Sequence, residues 1–175
     1  MFHPALISHL LVDYPLKHLW QRDDSFDWRT ANGKAIGVDI VTTYSDHCYT
    51  DSGLPHVEGC YSIGTAEKRR VFCPDRHARS TQLPMMINAL ASKPAATVSL
   101  THRRNWMSFQ LKTNPALVAG QRYYMFFNLA SGGISASGRH VVRLHVESAY
   151  AKDVRIGVRR NAPFGRLVEE TVFKP

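Results

Sequence analysis

Residues 122–150 read RYYMFFNLASGGISASGRHVVRLHVESAY, two runs dense in aromatic and β-branched residues divided by a glycine- and serine-rich connection. The runs, 122–129 and 140–150, are each the length of a strand, and SGGISASG between them supplies the turn. In the second run Val142, Leu144 and Val146 point one way, so Arg143, His145 and Glu147 share the other face. Upstream, residues 96–101 and 105–112 predict two further strands joined by the polar turn His102, Arg103, Arg104. Four extended segments with short links form an antiparallel meander.

Working outward from the meander, Leu83, Met86, Ile87 and Leu90 stand at i, i+3, i+4 and i+7, the buried stripe of a helix over 83–92. Residues 35–44 alternate Val38, Ile40 and Thr42 against Asp39, Val41 and Thr43 and predict a strand, with residues 69–73 a short extended piece closed by Pro74. Residues 51–68 carry glycines and Pro55 with little periodicity and predict a loop or a loosely paired hairpin. Near the N-terminus, Leu6, Ile7, Leu10, Leu11 and Tyr14 follow helical spacing as far as Pro15, and Leu16, Leu19 and Trp20 continue the packing. A loop over 21–34 and a final strand over 167–173 complete the reading. The expected fold is a single α+β domain over 1–175. In it an N-terminal helical segment, 1–34, packs on a mainly antiparallel sheet of about four to six strands in the core, 35–175.

A chain of 175 residues with 44% hydrophobic and 21% charged residues is long enough to bury one core and is too ordered in composition for general disorder. Its formal charge of +8 attracts polyanions, with nucleic acid the leading partner class and an anionic membrane surface or an acidic protein the next. Cys48, Cys60 and Cys73 make an odd count, which argues against a disulfide framework and for a reduced, cytoplasmic setting. The first residues lack the basic and apolar pattern of an export signal, and no apolar run is long enough to span a membrane.

Reactive side chains gather in residues 45–84, where Ser45, Asp46, His47 and Cys48 are followed by Lys68, Arg69, Arg70, Cys73, Arg76 and His77. An imidazole titrates near neutrality, so His47 suits proton transfer, and Arg143, His145 and Glu147 offer a cation, an imidazole and a carboxylate on one strand face. Both patterns also arise on ordinary solvated surfaces. Cys73 and His77 stand four apart, as zinc ligands on a helical turn do, but the paired close spacings of a tetrahedral site are missing, and no metal or other cofactor is expected. Cys48 or Cys73 beside arginines is a nucleophile in principle, although a free cysteine more often serves as a small buried apolar residue. Basic and aromatic residues are interleaved at Arg70 and Phe72, at Arg103, Arg104 and Trp106, and at Arg122, Tyr123 and Tyr124. Guanidinium forks bind phosphates and flat rings stack on unpaired bases, which favours RNA over DNA.

Through His47, Cys48, Tyr49 and Thr50, then Arg70, Phe72, Cys73, Arg76, Ser80, Leu83 and Pro84, and finally Ser148, Ala149 and Tyr150, the chain resembles an uncharacterised bacterial protein family found around prophages and plasmids. The resemblance covers about residues 36–155, and His77 stands where an aromatic ring is expected. At the level of fold, helices followed by an antiparallel sheet are similar to small ribonucleases of the barnase and RelE-toxin kind, which cleave RNA with side chains of the sheet face and no metal.

The resulting expectation is a cytoplasmic RNA-binding protein of mobile-element origin, acting as a toxin-like, metal-independent ribonuclease. His47 or His145 serves as general base with Glu147 assisting, and Tyr150 orients or stacks the substrate. Arg70, Arg76 and Arg143 stabilise the transition state, and Arg103 and Arg104 add substrate contacts. The alternative is a non-enzymatic adaptor that binds a protein or a nucleic acid through its basic face.

Overall fold

The N-terminal residues expected as a helix pair instead as strands β1 (Leu6–His9) and β2 (Val12–Pro15) of a hairpin. The computed structural model, which describes residues 3–30 and 32–173, buries Ile7 and His9 and exposes Leu6 and Ser8, a period of two. Leu10 and Leu11 form the turn in left-handed backbone, with φ of 51° and 63°. Leucines at helical spacing are thus turn residues here, and so short a helix would have had little intrinsic stability to compete.

Strand β3 (Arg22–Arg29) occupies what reads as a loop, because its aspartates lower β-propensity while Phe26 and Trp28 still turn inward. Charged residues suit its place at a sheet edge, where they discourage pairing with other chains. Strands β4 (Ala35–Tyr44), β5 (Thr50–Asp51), β6 (Ser62–Ile63) and β7 (Arg70–Phe72) follow, and then helices α1 (Pro74–Ser80) and α2 (Leu83–Ala91). The rest comprises β8 (Thr97–Thr101), β9 (Trp106–Gln110), β10 (Arg122–Ile134), β11 (His140–Lys152), β12 (Val158–Pro163) and α3 (Phe164–Phe173). Residues 167–173, expected as a strand, belong to α3, where Leu167 and Val168 are buried beside Phe164.

The main sheet has seven strands in the order β12-β8-β9-β10-β11-β4-β3, while β5, β7 and β6 form a small separate sheet. Neighbours in the main sheet run antiparallel except β11 and β4, which are parallel. The α+β expectation with N-terminal helices on four to six strands is therefore corrected: the fold is mostly β, and among the described residues no N-terminal α-helix packs on the sheet. Tyr123, Met125 and Phe127 of β10, Val142, Leu144 and Val146 of β11, and Val38 and Ile40 of β4 form the inner face. They share one core with the α2 stripe and with Phe164, Leu167 and Val168 of α3. Each fully buried large side chain contributes about 1.5–3 kcal/mol, which fixes the sheet against α2 and α3. Arg139, in the β10–β11 turn, ties this edge to the next strands by pairing with Asp27 at 2.8 Å and Asp39 at 2.6 Å.

The opposite face of the sheet positions the candidate site. In the β10–β11 register Phe126 pairs with Ser148 and Phe127 with Val146, so Glu147 is an extra residue in a β-bulge. The bulge re-phases β11. Val146 and Ala149 both reach the core, and Tyr150 joins Met107, Tyr124 and Phe126 in a second apolar cluster on the outer face.

Candidate functional site

Between the Asp46–Cys48 turn, α1 and the outer face of β10 and β11 lies a cleft of about 470 Å³. His47, Arg70, Arg76, His102, Arg103 and Tyr150 line it, with Lys152 and Ser148 beside them and Phe126 in the floor. The sequence places His47 there through a local device. Ser45 accepts a hydrogen bond from the His47 amide at 3.0 Å, which caps a single 3₁₀ turn. Cys48, next in the turn, is consequently driven inward and fully buried, while His47 is exposed to the cleft.

The two arginines nearest His47 are braced by the small sheet. Arg70 donates from Nε to the Thr50 hydroxyl and from its terminal nitrogen to the Thr50 carbonyl, both at 2.9 Å. Arg76 projects from α1, pairs with Asp51 at 2.6 Å and donates to the His47 carbonyl at 3.1 Å. Its guanidinium lies 5.3 Å from the centre of the Tyr150 ring, and that ring stacks on Phe126 at 5.2 Å. A guanidinium over an aromatic face is held in one orientation while its outer edge stays open to an anion. Arg103 and Lys152 have no ion pair with a carboxylate among the described residues.

These charges set the protonation of the site. Partial burial, and after it the positive charge of Arg70, hold the His47 imidazole below its ordinary value, against the opposite pull of Asp46 and Glu147. The ring is therefore neutral at pH 7 and able to accept a proton. For Asp51, burial pushes the carboxyl up. The Gly53 amide and the charge and hydrogen bond of Arg76 together outweigh that and leave it below its usual range. Burial pushes the Cys48 thiol up to about 12, which makes it an inert core residue and removes it as a nucleophile.

Of the residues picked out in the sequence, His47, Arg70, Arg76, Arg103 and Tyr150 come together in the cleft. Arg143 and His145 lie further along the exposed side of β11, and His145 shares a hydrogen bond of 2.9 Å with Thr43. Glu147 has both oxygens engaged, by Asn105 at 2.7 Å and Asn128 at 2.6 Å, so it acts on His47 through its charge. Arg104 is a turn residue with φ of 65° and does not line the cleft. Cys73 precedes α1 as its N-cap, and His77 Nε2 is 2.8 Å from the Pro15 carbonyl. Among the described residues no group of three or more His, Cys, Asp or Glu side chains is placed to hold a metal ion. Sequence reasoning placed His102 in a polar turn without giving it a role and passed over Lys152; the signal of both was position alone, a turn and a strand end.

No helix among the described residues is long and apolar enough to cross a membrane. Compared with known proteins, the chain matches the model of the YjaZ family over residues 8–172. No curated protein and no solved structure matches it.

Proposed function

For a chain that belongs to the YjaZ family, we propose that the outer-face cleft binds single-stranded RNA and cleaves it with the protein's own side chains. The observation that carries this reading is the convergence of His47, Arg70, Arg76, His102, Arg103 and Tyr150 from distant parts of the chain on one cleft. Four kinds of chemistry are thereby combined: phosphate binding by arginine, base stacking by tyrosine, proton acceptance by a neutral imidazole, and proton donation by a second one. A duplex keeps its bases stacked within the helix, so an aromatic floor favours an unpaired strand.

In the reaction His47 removes the proton of a ribose 2′-hydroxyl, and the freed oxygen attacks the adjacent phosphorus. As the new O2′–P bond forms, the bond from phosphorus to the 5′-oxygen of the next nucleotide breaks. His102, the second imidazole of the cleft, acts as general acid and supplies the proton that leaving oxygen needs. The products are a 2′,3′-cyclic phosphate and a 5′-hydroxyl, with no co-reactant consumed. Arg76 and Arg70 face the charge that develops on the phosphoryl oxygens, and Tyr150 stacks the base beside the reacting bond. A cytoplasmic setting, a mobile-element origin and a growth-modulating, toxin-like role are parts of the same proposal.

The test is incubation of purified protein, in chelator, with end-labelled single-stranded RNA, single-stranded DNA and duplex RNA. The proposal expects RNA fragments ending in cyclic phosphate, lost in His47→Ala and in His102→Ala while binding persists. Binding with no cleavage by the unaltered protein would replace it with the adaptor reading, and unaltered cleavage by both variants would overturn the assignment of roles.

A further inference from the structure

The ring pair in the cleft floor does not stop at its edge. Phe126 continues to Tyr124 at 6.1 Å, and Tyr124 to Phe109 at 5.8 Å, so a row of four rings crosses the outer face from β11 through β10 to β9. The two middle rings are closed to a ligand: Tyr124 is 2% and Phe126 5% exposed. Ile156 packs on this cluster, and the Tyr124 hydroxyl donates to the Val154 carbonyl at 3.3 Å, so residues 153–157 strap the middle of the row. Its two ends are open. At one, Tyr150 lies under Arg76; at the other, Phe109 is 46% exposed, with the Arg122 guanidinium 5.6 Å from its ring centre. Around Phe109 is a second depression of about 290 Å³ that also includes Arg122, Tyr124 and Arg155, and it meets the first cleft at Ile156.

We infer that Phe109 with Arg122 and Arg155 is a second base-and-phosphate subsite. One single strand, anchored at Tyr150 and Arg76, crosses the strap and places a later nucleotide on the Phe109 ring. The chemistry is the same at both ends: an aromatic ring backs a guanidinium, whose outer plane is able to stack one base while its edge meets a phosphate. The inference rests on the RNA-binding reading of the first cleft and adds a length requirement to it. A ligand too short to cross the strap gains nothing from Phe109.

The experiment compares a dinucleotide with a decanucleotide of unstructured RNA, in the unaltered protein and in Phe109→Ala, Arg122→Ala and Tyr150→Ala, by fluorescence anisotropy. Phe109 is a surface residue, so its truncation leaves the fold intact, and circular dichroism checks this. The expected result is that Phe109→Ala and Arg122→Ala each weaken the decanucleotide about tenfold and leave the dinucleotide unchanged, whereas Tyr150→Ala weakens both. If Tyr150→Ala weakens both lengths while Phe109→Ala and Arg122→Ala affect neither, the second subsite is overturned and the first cleft stands. If the unaltered protein binds neither length, the RNA-binding reading falls and takes the subsite with it.

Discussion

Replacing Arg76 by alanine removes three interactions at once: the 2.6 Å pair with Asp51, the bond to the His47 carbonyl and the contact over Tyr150. The side chains of the ion pair are 19% and 31% exposed, so the pair is only partly screened. With one charged hydrogen bond and one cation–π contact added, the loss of stability comes to about 1–2 kcal/mol. That loss has a defined pH dependence. The Asp51 carboxyl is held below its ordinary value of 3.8 in the folded chain, so its contribution is present above that value and disappears as pH falls through the lowered one. Urea titrations should therefore show Arg76→Ala less stable than the unaltered protein at pH 7, with the gap closing below pH of about 4. The same variant should bind single-stranded RNA about tenfold more weakly and lower the salt slope by about 0.7, the value for one phosphate contact on a single strand. Arg76→Lys should restore the salt slope but only part of the affinity, because an ammonium is a point charge without the planar fork. An Arg76→Ala protein with unchanged RNA affinity and salt slope would refute the assignment of Arg76 to the phosphate path.

Three further outcomes follow from other parts of the molecule. Burial first, and then the charge of His77, hold His18 down to about 4, so its neutral form is the folded one. Stability should be full above pH of about 6.5 and fall below it, by about 1–2 kcal/mol at pH 5 once solvent screening of a partly buried ring is allowed for. Thermal melts across that range check this, and a flat profile between pH 7 and 5 would contradict it. Cys48→Ala should bind and cleave RNA as the unaltered protein does while losing about 1 kcal/mol of stability, because the thiol packs in the core and takes no part in the site. Leu11→Gly should raise stability by about 1 kcal/mol, since Leu11 pays for a φ of 63° while its side chain is fully exposed. A chemical-denaturation midpoint unchanged or lowered in that variant would show that the leucine is held by something beyond the hairpin.

What could be read from the residues was the strongly periodic part. Strand β4 and helix α2 appear where Val38, Ile40 and Thr42, and Leu83, Met86, Ile87 and Leu90, placed them; β8, β9 and β11 lie within two residues of their expected ends, while β10 runs on through the expected connection to Ile134. Local pattern failed where tertiary position decided the outcome. The segment containing Leu10 and Leu11 has helical spacing, yet its hairpin is tied to the body by the Leu10 amide on the Gly59 carbonyl, and the His9 ring lies 5.0 Å from that of Phe72. Strand β3 was hidden by its aspartates, and β12 by the exposed arginines at 159 and 160. Part of the site was visible for the same kind of reason. His47, Arg70 and Arg76 sit in one dense stretch, whereas His102 and Lys152 reach the cleft only because the sheet order sets β8 and β9 beside β10 and β11. The strand-face argument that grouped Arg143, His145 and Glu147 was sound in its alternation. It could not reveal the bulge at Glu147 or the two asparagines that occupy its oxygens.

The most direct measurement is photocrosslinking of thiouridine-containing single-stranded RNA to the purified protein, with the attachment sites located by mass spectrometry. The account predicts crosslinks on peptides carrying Arg103 and Tyr150, which line the cleft, and their loss in Arg76→Ala. Crosslinks confined to β12 and α3, or none at RNA concentrations that crosslink a known single-strand binder, would contradict it.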